Sequence, residues 1–302
     1  MPLLTALLLA TAATAQAHDH ADTAPFDCAA CPGWNEAQAP FRLHGDSWYV
    51  GTKGLSAVLV ATPEGLVLID GGLPQSAPQI LANLRRLGFE PGQVRYLLNS
   101  HEHFDHAGGL AALQRLTGAP VLATAAGAEA LRRGQARDDD PQAAFGADAA
   151  YPPVPEVRVV ADGHAFTLGG TTFTMHATPG HAPGGSTWTW RSCEDGDCRE
   201  LVYADSLTAV SAPGFRFSDE PARVEAFRAT IARVAALPCD LLVSAHPGFS
   251  GLFEKLAERA ADPSRNPLLD KNACAAYAAG GEAWLERRLA EEAAAASADA
   301  GG

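Results

Sequence analysis

The stretch SHEHFDH, residues 100–106, places three histidines and one aspartate within six consecutive positions. It follows an apolar run with the composition of a buried strand, and ligand sites in layered α/β folds lie just beyond such strand ends. Imidazole nitrogens and carboxylate oxygens are ligands that suit zinc. If the stretch is extended, His101 and His103 share one face, and a following turn directs Asp105 and His106 toward a second ion. The stretch therefore predicts a metal site.

Two further histidines follow predicted strands, and each lies in a turn that contains glycine and proline. His181 ends the sequence TPGH, and His246 lies within SAHPG. Either histidine alone would more often be structural, but beside the histidine cluster both are expected to be metal ligands. His176 is interpreted as a packing or supporting residue, and His44 and His164 as ordinary surface residues.

Strand-like and helix-like patterns alternate along the chain, which favours a layered α/β fold. The predicted strand 65–72 contains an acidic turn at Asp70, and the helix predicted for 77–87 has its apolar residues on one face. The segment 138–155 is expected to be a long loop between two strand-rich halves, and 291–302 a frayed tail of low complexity. Further strands are predicted at 48–51, 56–60, 94–99, 120–123, 157–160, 172–175, 186–190, 201–204 and 241–244, and further helices at 108–116 and 220–236.

The composition is that of a soluble globular protein with an acidic balance. The 302 residues are 47% hydrophobic and 19% charged, and the formal net charge is −13. This charge argues against a nucleic-acid partner and gives no attraction to anionic lipid, and beyond the N-terminus no apolar segment is long enough for a membrane helix. It would also repel an anionic substrate unless bound cations reverse the sign locally. Because no apolar interface stripe stands out, we expect a monomer.

The N-terminus has the features of an export signal. Residues 3–13 are apolar and small, and AQA at 15–17 has the form of a signal-peptide cleavage site. We therefore predict a signal peptide at 1–17 and a periplasmic location. If cleavage follows residue 17, the sequence HDH at 18–20 would present an amine, an amide and an imidazole to copper, which is a separate hypothesis.

Six cysteines fit an oxidising compartment, and structural disulfides are the favoured interpretation for all of them. Cys193 and Cys198 flank a turn that would bring them together. The pair nearest the N-terminus, in CAAC, forms either a tight disulfide or a thiol metal site. The expected pairs are Cys28–Cys31, Cys193–Cys198 and Cys239–Cys274.

The H-x-H-x-D-H cluster, together with the later His181 and His246, resembles the metallo-β-lactamase superfamily. Almost the whole mature length of the chain is similar to the subclass B3 β-lactamases. The resemblance implies a four-layer αβ/βα sandwich formed by one domain spanning 18–302. Ser206 favours this branch, because other β-lactamase subclasses carry a zinc-binding cysteine near that position. The stretches that carry the resemblance lie at 34–41, 49–56, 68–71, 98–101, 105–109 and 203–207.

The resemblance also implies a role for each candidate site residue. Ser206 and Thr208 match positions that contact the substrate carboxylate in the family, and Asp70 would support a ligand or its loop from behind. The loop 209–217 has two phenylalanines and no tyrosine, whereas in some relatives a tyrosine of this loop assists the developing oxyanion. Two zinc ions would be held by the predicted ligands, the first by His101, His103 and His181 and the second by Asp105, His106 and His246.

The implied function is that of a zinc-dependent β-lactamase. A water activated between two zinc ions and held by Asp105, the catalytic carboxylate, would open the β-lactam amide of penicillins, cephalosporins and carbapenems. Two divalent cations would make the pocket locally positive despite the acidic chain. A Ser/His/Asp triad is the competing mechanism, but the sequence contains no G-x-S-x-G nucleophile elbow.

The sequence is compatible with two other functions. The first is a thioester or lactone hydrolase of the same superfamily, because Asp205 followed by Ser-Leu also resembles the bridging aspartate of the glyoxalase II branch. The second is a non-catalytic zinc-binding protein of the periplasm. It would fit the N-terminal HDH sequence but not a mixed-ligand site that leaves room for a water.

Overall fold

The computed structural model describes residues 21–300, so the predicted signal peptide at 1–17 and the copper hypothesis at 18–20 lie outside the described residues. Two β-sheets face each other, and α-helices pack on the outer face of each sheet. The predicted four-layer αβ/βα sandwich is confirmed.

The first sheet has seven strands, which are neighbours in the order in which they occur along the chain. They are β1 (Phe41–His44), β2 (Ser47–Tyr49), β3 (Val58–Thr62), β4 (Gly65–Ile69), β5 (Val94–Leu98), β6 (Val121–Ala123) and β7 (Val157–Val159). Strands β1 to β4 pair antiparallel, and β4 to β7 pair parallel. The parallel part therefore brings the carboxyl ends of β4 and β5 to the same edge.

The second sheet has five strands, and most of its pairs are antiparallel. They are β8 (Ala165–Leu168), β9 (Thr171–Ala177), β10 (Ser186–Glu194), β11 (Asp197–Ala204) and β12 (Leu241–Ser244). The order across the sheet is β12, β11, β10, β9, β8, and β11 pairs parallel with β12. Because β9 and β11 are both antiparallel to β10, the carboxyl ends of β9, β11 and β12 share one edge.

The α-helices are distributed over the two outer layers and the connections. They are α1 (Cys31–Trp34), α2 (Ala77–Arg86), α3 (Phe104–Ala107), α4 (Leu110–Thr117), α5 (Ala125–Arg133), α6 (Pro221–Ala235), α7 (Leu252–Ala261) and α8 (Ala273–Ala300). Helices α2, α4 and α5 share an apolar core with the first sheet, and α6 and α8 share another with the second sheet. A third core fills the space between the sheets.

Strand β4 explains why these layers form. Leu66 and Leu68 belong to the core under the helices, whereas Val67 and Ile69 belong to the core between the sheets. All four side chains are almost fully buried, as expected for a strand that is covered on both faces. Each contributes roughly 1.5–3 kcal/mol to folding when it leaves water. The strand therefore carries its acidic successor, Asp70, into the interior.

The edge strands β1 and β8 have no counterpart among the predicted strands. Each is four residues long and stands at the edge of its sheet, so it is too short to display a clear period. The other strands and the helices predicted for 77–87, 108–116 and 220–236 are present with small shifts of their ends.

Helix α8 continues through residue 300, in contrast with the frayed tail predicted for 291–302. Alanine, which gives the segment its low complexity, is also the best helix former. Glu292 anchors the helix, because its carboxylate accepts the backbone N–H of Phe217 (3.0 Å) and of Ser218 (2.8 Å). It also pairs with Arg288 one turn earlier at 2.6 Å.

Three disulfides are formed, Cys28–Cys31, Cys193–Cys198 and Cys239–Cys274, and the favoured interpretation of the cysteines is confirmed. The second closes the hairpin between β10 and β11, and the third joins the chain before β12 to α8. Within residues 21–300, no helix combines the length and the apolar character needed to cross a membrane.

Candidate metal centre

The predicted ligands His101, His103 and His181 meet at the edge where the strand ends converge. One ring nitrogen from each lies within 4.8 Å of the others, and His103 Nδ1 is 3.1 Å from His181 Nε2. All three residues are buried, with at most 6% of their surface exposed. We call these three residues the first ligand group.

The predicted ligands Asp105, His106 and His246 form a second ligand group beside the first. Asp105 Oδ2 lies 3.3 Å from His106 Nε2 and 3.2 Å from His246 Nε2, and these two nitrogens are 3.2 Å apart. The ring of His101 lies 4.3 Å from that of His106, so the two groups adjoin. All six predicted ligands are therefore brought together from three distant parts of the chain.

Each histidine turns its other ring nitrogen outward to an acceptor. The outer acceptors are Asp205 for His101 (2.9 Å), Asp140 for His103 (3.0 Å), the Thr208 carbonyl for His181 (2.7 Å), the Gly54 carbonyl for His246 (3.2 Å) and Asp70 for His106 (3.6 Å). The last distance is longer than a hydrogen bond. An outer acceptor places the ring proton on the outer nitrogen and leaves the inner nitrogen with a free lone pair.

The inner nitrogens lie at distances from one another that suit bound metal ions. His103 Nδ1 faces His181 Nε2 at 3.1 Å, and His106 Nε2 faces His246 Nε2 at 3.2 Å, so the inner nitrogens lie close enough in pairs to share a cation. The inner nitrogen of His101 is buried with no hydrogen-bond partner among the described residues. Neutral imidazole and carboxylate donors at this spacing suit zinc, so the residues fit the metal.

The pKa values of His101 and His181 agree with neutral imidazoles that can bind a cation. Burial, reinforced by the neighbouring histidines, lowers the pKa of His101 far below its usual value and that of His181 to about 3. Burial also lowers the pKa of His106, but Asp105 and Asp70 outweigh it and raise the pKa to about 10. A metal ion must therefore displace a proton from His106, and metal binding is expected to release protons.

Asp70 organises the loop that carries the cluster. Its carboxylate accepts the backbone N–H of Ser100 (2.7 Å), the hydroxyl of Ser100 (2.6 Å) and the hydroxyl of Tyr203 (2.9 Å). Its backbone has a left-handed φ of 61°, a conformation that is uncommon for a non-glycine residue and is typical of strained functional positions. Asp70 thus contacts both the cluster loop and the neighbourhood of His106.

Gly180 determines where His181 can lie. Its φ is 150°, and a Cβ atom at this position would lie 2.4 Å from the ring of Phe227 on α6. Only glycine allows the turn after β9 to approach α6 this closely. The close approach brings His181 within reach of His103.

Asp140 is a site residue that the sequence analysis missed. It is 2% exposed, both of its carboxylate oxygens lie 3.0–3.1 Å from His103 Nε2, and it caps its own loop by accepting the N–H of Gln142. It follows Asp138 and Asp139 in a segment without periodicity, so the sequence offered no signal that one of three aspartates is buried.

Asp205 lies behind the first ligand group. Its Oδ1 accepts from the backbone N–H of Ser206 at 2.8 Å and lies 2.9 Å from His101 Nδ1, and its Oδ2 accepts from Thr178 at 3.3 Å. Both oxygens are therefore engaged on the outer side of His101. This placement differs from that of a bridging carboxylate.

Glu102, the remaining acidic residue of the decisive stretch, anchors the cluster loop to the loop before β10. Its Oε1 accepts the backbone N–H of Gly184 at 2.8 Å, and burial raises its pKa to about 7. Neither ligand group contains it.

A cavity of about 740 Å³ opens above the two ligand groups, and its floor includes His103 and His181 of the first group and Asp105 and His246 of the second. Its walls are mainly apolar, and Phe145, Val210 and Phe249 are at least 37% exposed at its mouth. Thr208, one of the two predicted carboxylate contacts, lines this cavity. Ser206, the other, is 1% exposed and is not among the lining residues.

The other histidines lie apart from the ligand groups. His176 donates to or accepts from Thr189 at 2.9 Å, and His164 is exposed. The interpretation of His44 as a surface residue is wrong, since it is 5% exposed. The backbone carbonyl of His44 accepts from Ser192 of the other sheet at 2.9 Å.

Comparison with known proteins agrees with this geometry. The chain belongs to the metallo-β-lactamase superfamily, whose family model matches residues 50–246 and so includes all six predicted ligands. Within it, the chain is similar to the solved structure of the Rm3 metallo-β-lactamase, with 49% identity, coverage of 88% of this chain and 99% of that one, and a TM-score of 0.84.

Two further proteins define the range of similarity. MEM-A1, described as a subclass B3 metallo-β-lactamase from a soil metagenome library, is 48% identical over 86% of this chain and 99% of its own, with a TM-score of 0.83. A hydroxyacylglutathione hydrolase of Anaeromyxobacter dehalogenans (strain 2CP-C) is 30% identical over 66% of this chain. The chain spans 62% of that relative's length. The predicted resemblance to subclass B3 is confirmed.

Proposed function

We propose that this protein is a zinc-dependent β-lactamase that hydrolyses the β-lactam amide of penicillins, cephalosporins and carbapenems. The observation that carries the proposal is the convergence of five inward imidazole nitrogens and one carboxylate at an open cavity, which four of the six ligand residues line. Nearly full-length similarity to metallo-β-lactamases at 48–49% identity supports the same substrate class.

The two ligand groups would hold two zinc ions. When bound, zinc supplies Lewis acidity and lowers the pKa of a water molecule toward neutrality. The first ion would take His101 Nε2, His103 Nδ1 and His181 Nε2, which are the nitrogens left without an outer acceptor. The second would take Asp105 Oδ2, His106 Nε2 and His246 Nε2.

Asp105 is the carboxylate in the position to handle the proton of the attacking water. Its Oδ2 lies within 3.3 Å of two histidine nitrogens of its own group and lines the cavity floor. A carboxylate fixed there orients the water by accepting its hydrogen bond, and it can pass the proton toward the lactam nitrogen as the C–N bond breaks.

The cavity walls would position the substrate. Aromatic side chains from the N-terminal segment and the loops, including Phe26, Trp34 and Phe104, would pack against the bicyclic ring system and displace water. The hydroxyl of Thr208, at the wall beside His181, is available to the substrate as a hydrogen-bonding group. Asp70, Asp140 and Asp205 would hold the ligand imidazoles in orientation without touching the substrate.

A thioester or lactone hydrolase is the second candidate, and the similarity to a hydroxyacylglutathione hydrolase favours it. In this candidate Asp205 would bridge two metal ions. Because both oxygens of Asp205 are engaged behind His101, we favour the β-lactamase. The Asp205→Asn variant separates the two: loss of one zinc would favour the thioester hydrolase, and retained stoichiometry would favour the β-lactamase.

The function is tested with purified mature protein and a panel of a penicillin, a cephalosporin, a carbapenem, a thioester and a lactone, with zinc content measured in parallel. We expect turnover of the three β-lactams, loss of turnover with a chelator, and recovery when zinc is restored. Protein that binds two zinc ions and turns over only the thioester or lactone would overturn the proposal, and no turnover of any substrate would favour a zinc-binding protein.

We further propose that residues 18–302 form one periplasmic domain that acts as a monomer after removal of residues 1–17. The three disulfides support an oxidising compartment. N-terminal sequencing of the protein recovered from an osmotic-shock fraction tests the location and the cleavage site, and its mass in solution tests the monomer.

A further inference from the structure

Lys53 is unusual among the cavity walls because it is their one lysine or arginine within the described part of the chain. The other charged side chains of the walls and floor, apart from the histidines, are Asp105 and Asp148. The formal net charge of −13 opposes the approach of an anion to the rest of the protein. The positive charge of Lys53 therefore attracts an anion locally, whereas the rest of the protein repels it.

The backbone of Lys53 is held in place beside the second ligand group. Its N–H donates to the carbonyl of Glu36 at 2.9 Å, and the next N–H, from Gly54, donates to the carbonyl of Trp34 at 3.2 Å. The carbonyl of the same Gly54 accepts from His246 Nδ1 at 3.2 Å. Lys53 is therefore adjacent in sequence to Gly54, which contacts the predicted ligand His246 directly.

The ammonium group of Lys53, in contrast, is free to change partner. Its side chain is 48% exposed, and it pairs at 2.5 Å with Glu36, whose side chain is 57% exposed. An ion pair with this exposure contributes little to stability, because both groups stay hydrated and lose side-chain entropy when they pair. Exchanging the Glu36 carboxylate for another carboxylate would therefore cost little.

β-Lactam substrates carry such a carboxylate on the ring next to the lactam nitrogen. Of the two hydroxyl residues expected to contact it, Ser206 is 1% exposed and Thr208 lines the wall, so neither supplies a positive charge to the carboxylate. We propose that Lys53 binds the substrate carboxylate, with Glu36 as the partner it leaves, and so acts as a specificity-determining residue. This inference rests on the proposed function.

The test compares Lys53→Met, Lys53→Arg and Glu36→Gln, after equal zinc content has been verified, on a cephalosporin and on its methyl ester. The matched control is Lys255→Met, which removes another lysine paired with a carboxylate, Asp270, outside the cavity. For the acid we expect Lys53→Met to raise KM about three- to tenfold with little change in kcat, because the contact is made equally before and during the reaction. Lys53→Arg should restore KM, and Glu36→Gln should lower it.

For the methyl ester, the wild type and all four variants should have the same KM. Equal KM values of Lys53→Met and Lys255→Met on the acid would overturn the inference. It would also be overturned if Lys53→Met weakened acid and ester alike, or if Glu36→Gln raised KM, since either result indicates a structural role for the pair. If the zinc-loaded wild type turns over no β-lactam, the proposed function fails first and this inference with it.

Discussion

The two ligand groups are similar in chemistry but differ in how the fold supports them. In the first group the three outer nitrogens are held at 2.7–3.0 Å by Asp205 and the Thr208 carbonyl, from the loop after β11, and by Asp140 from a separate segment. In the second group the outer contacts are longer, 3.2 Å at His246 and 3.6 Å at His106. The side chain of His246 is also 18% exposed, whereas no histidine of the first group has more than 6% of its surface exposed.

Two groups with the same types of ligand can therefore differ in their affinity for metal. Hydrogen bonds to the outer nitrogens fix ring orientation and raise ligand basicity, and their loss typically lowers metal affinity about 10–100-fold. The first group should therefore bind its ion more tightly, and the second group should bind the ion that is exchanged more easily.

The largest effect is expected for Asp105→Asn, which keeps the shape of the second group but removes its charge and its capacity to accept a proton. We expect kcat to fall on the order of 10³-fold, as is typical when a positioned acid–base group is removed. Zinc content should fall from two ions toward one, since the first group is untouched. Metal analysis and steady-state kinetics check both outcomes.

Asp148→Asn is the matched control, because Asp148 is the other carboxylate that lines the cavity. It should retain two zinc ions and turnover within about twofold of the wild type, as is usual for a surface substitution. If Asp105→Asn retained both ions and most of its turnover, Asp105 would be neither a metal ligand nor the group that accepts the proton.

A smaller effect, on affinity rather than on chemistry, is expected from titration of the zinc-loaded wild type with a chelator. Release should occur in two phases separated by about 10–100-fold in chelator concentration, with the second ligand group emptied first. Cobalt substitution provides the measurement, because the absorption of the ion that leaves first can be compared with that of the Asp105→Asn protein. A single phase would show that the two groups do not differ in affinity.

The sequence predicted all six residues of these groups, because their chemistry is concentrated in turns that directly follow apolar strands. His181 and His246 are 80 and 145 residues beyond His101, and only the parallel alignment of strand ends explains why they meet. The strand that carries Asp70 was equally visible, since an unbroken apolar run before an aspartate is typical of a buried strand.

The parts that were not predicted depend on tertiary contacts that leave no local pattern. Asp140 acquires its role only because its loop packs against His103, and a run of three aspartates reads as a solvated turn. His44 is buried where β1 meets β10 of the other sheet, and its carbonyl accepts from Ser192, 148 residues away. The alanine-rich tail is anchored as a helix because the carboxylate of Glu292 accepts the backbone N–H groups of Phe217 and Ser218.

Asp140→Asn tests the outer support of the first group and should have a more moderate effect. An amide can still face His103 but carries no charge, so we expect affinity for the more tightly held ion to fall about tenfold. The control Asp139→Asn changes the preceding, half-exposed aspartate, which pairs with Arg137 at the surface, and should leave affinity unchanged. Competition with a chromophoric zinc chelator gives both constants. Equal affinity of the two variants would show that Asp140 does not support the metal site.

The smallest effect is expected for Trp34→Leu, which acts on the second group. The indole ring lies 5.3 Å from the ring of His246 and is the aromatic neighbour on the side of Lys53 and Gly54. Contacts between aromatic rings contribute about 0.5–1.5 kcal/mol. Loss of this contact should therefore lower the affinity for the more easily exchanged ion about threefold, because His246 becomes more mobile, and leave the affinity for the other ion unchanged. Phe145→Leu, a cavity residue that does not contact His246, is the control. If Trp34→Leu lowered the affinity for both ions equally, the substitution would act on the whole fold. The support of the second ligand group would then not depend on this ring.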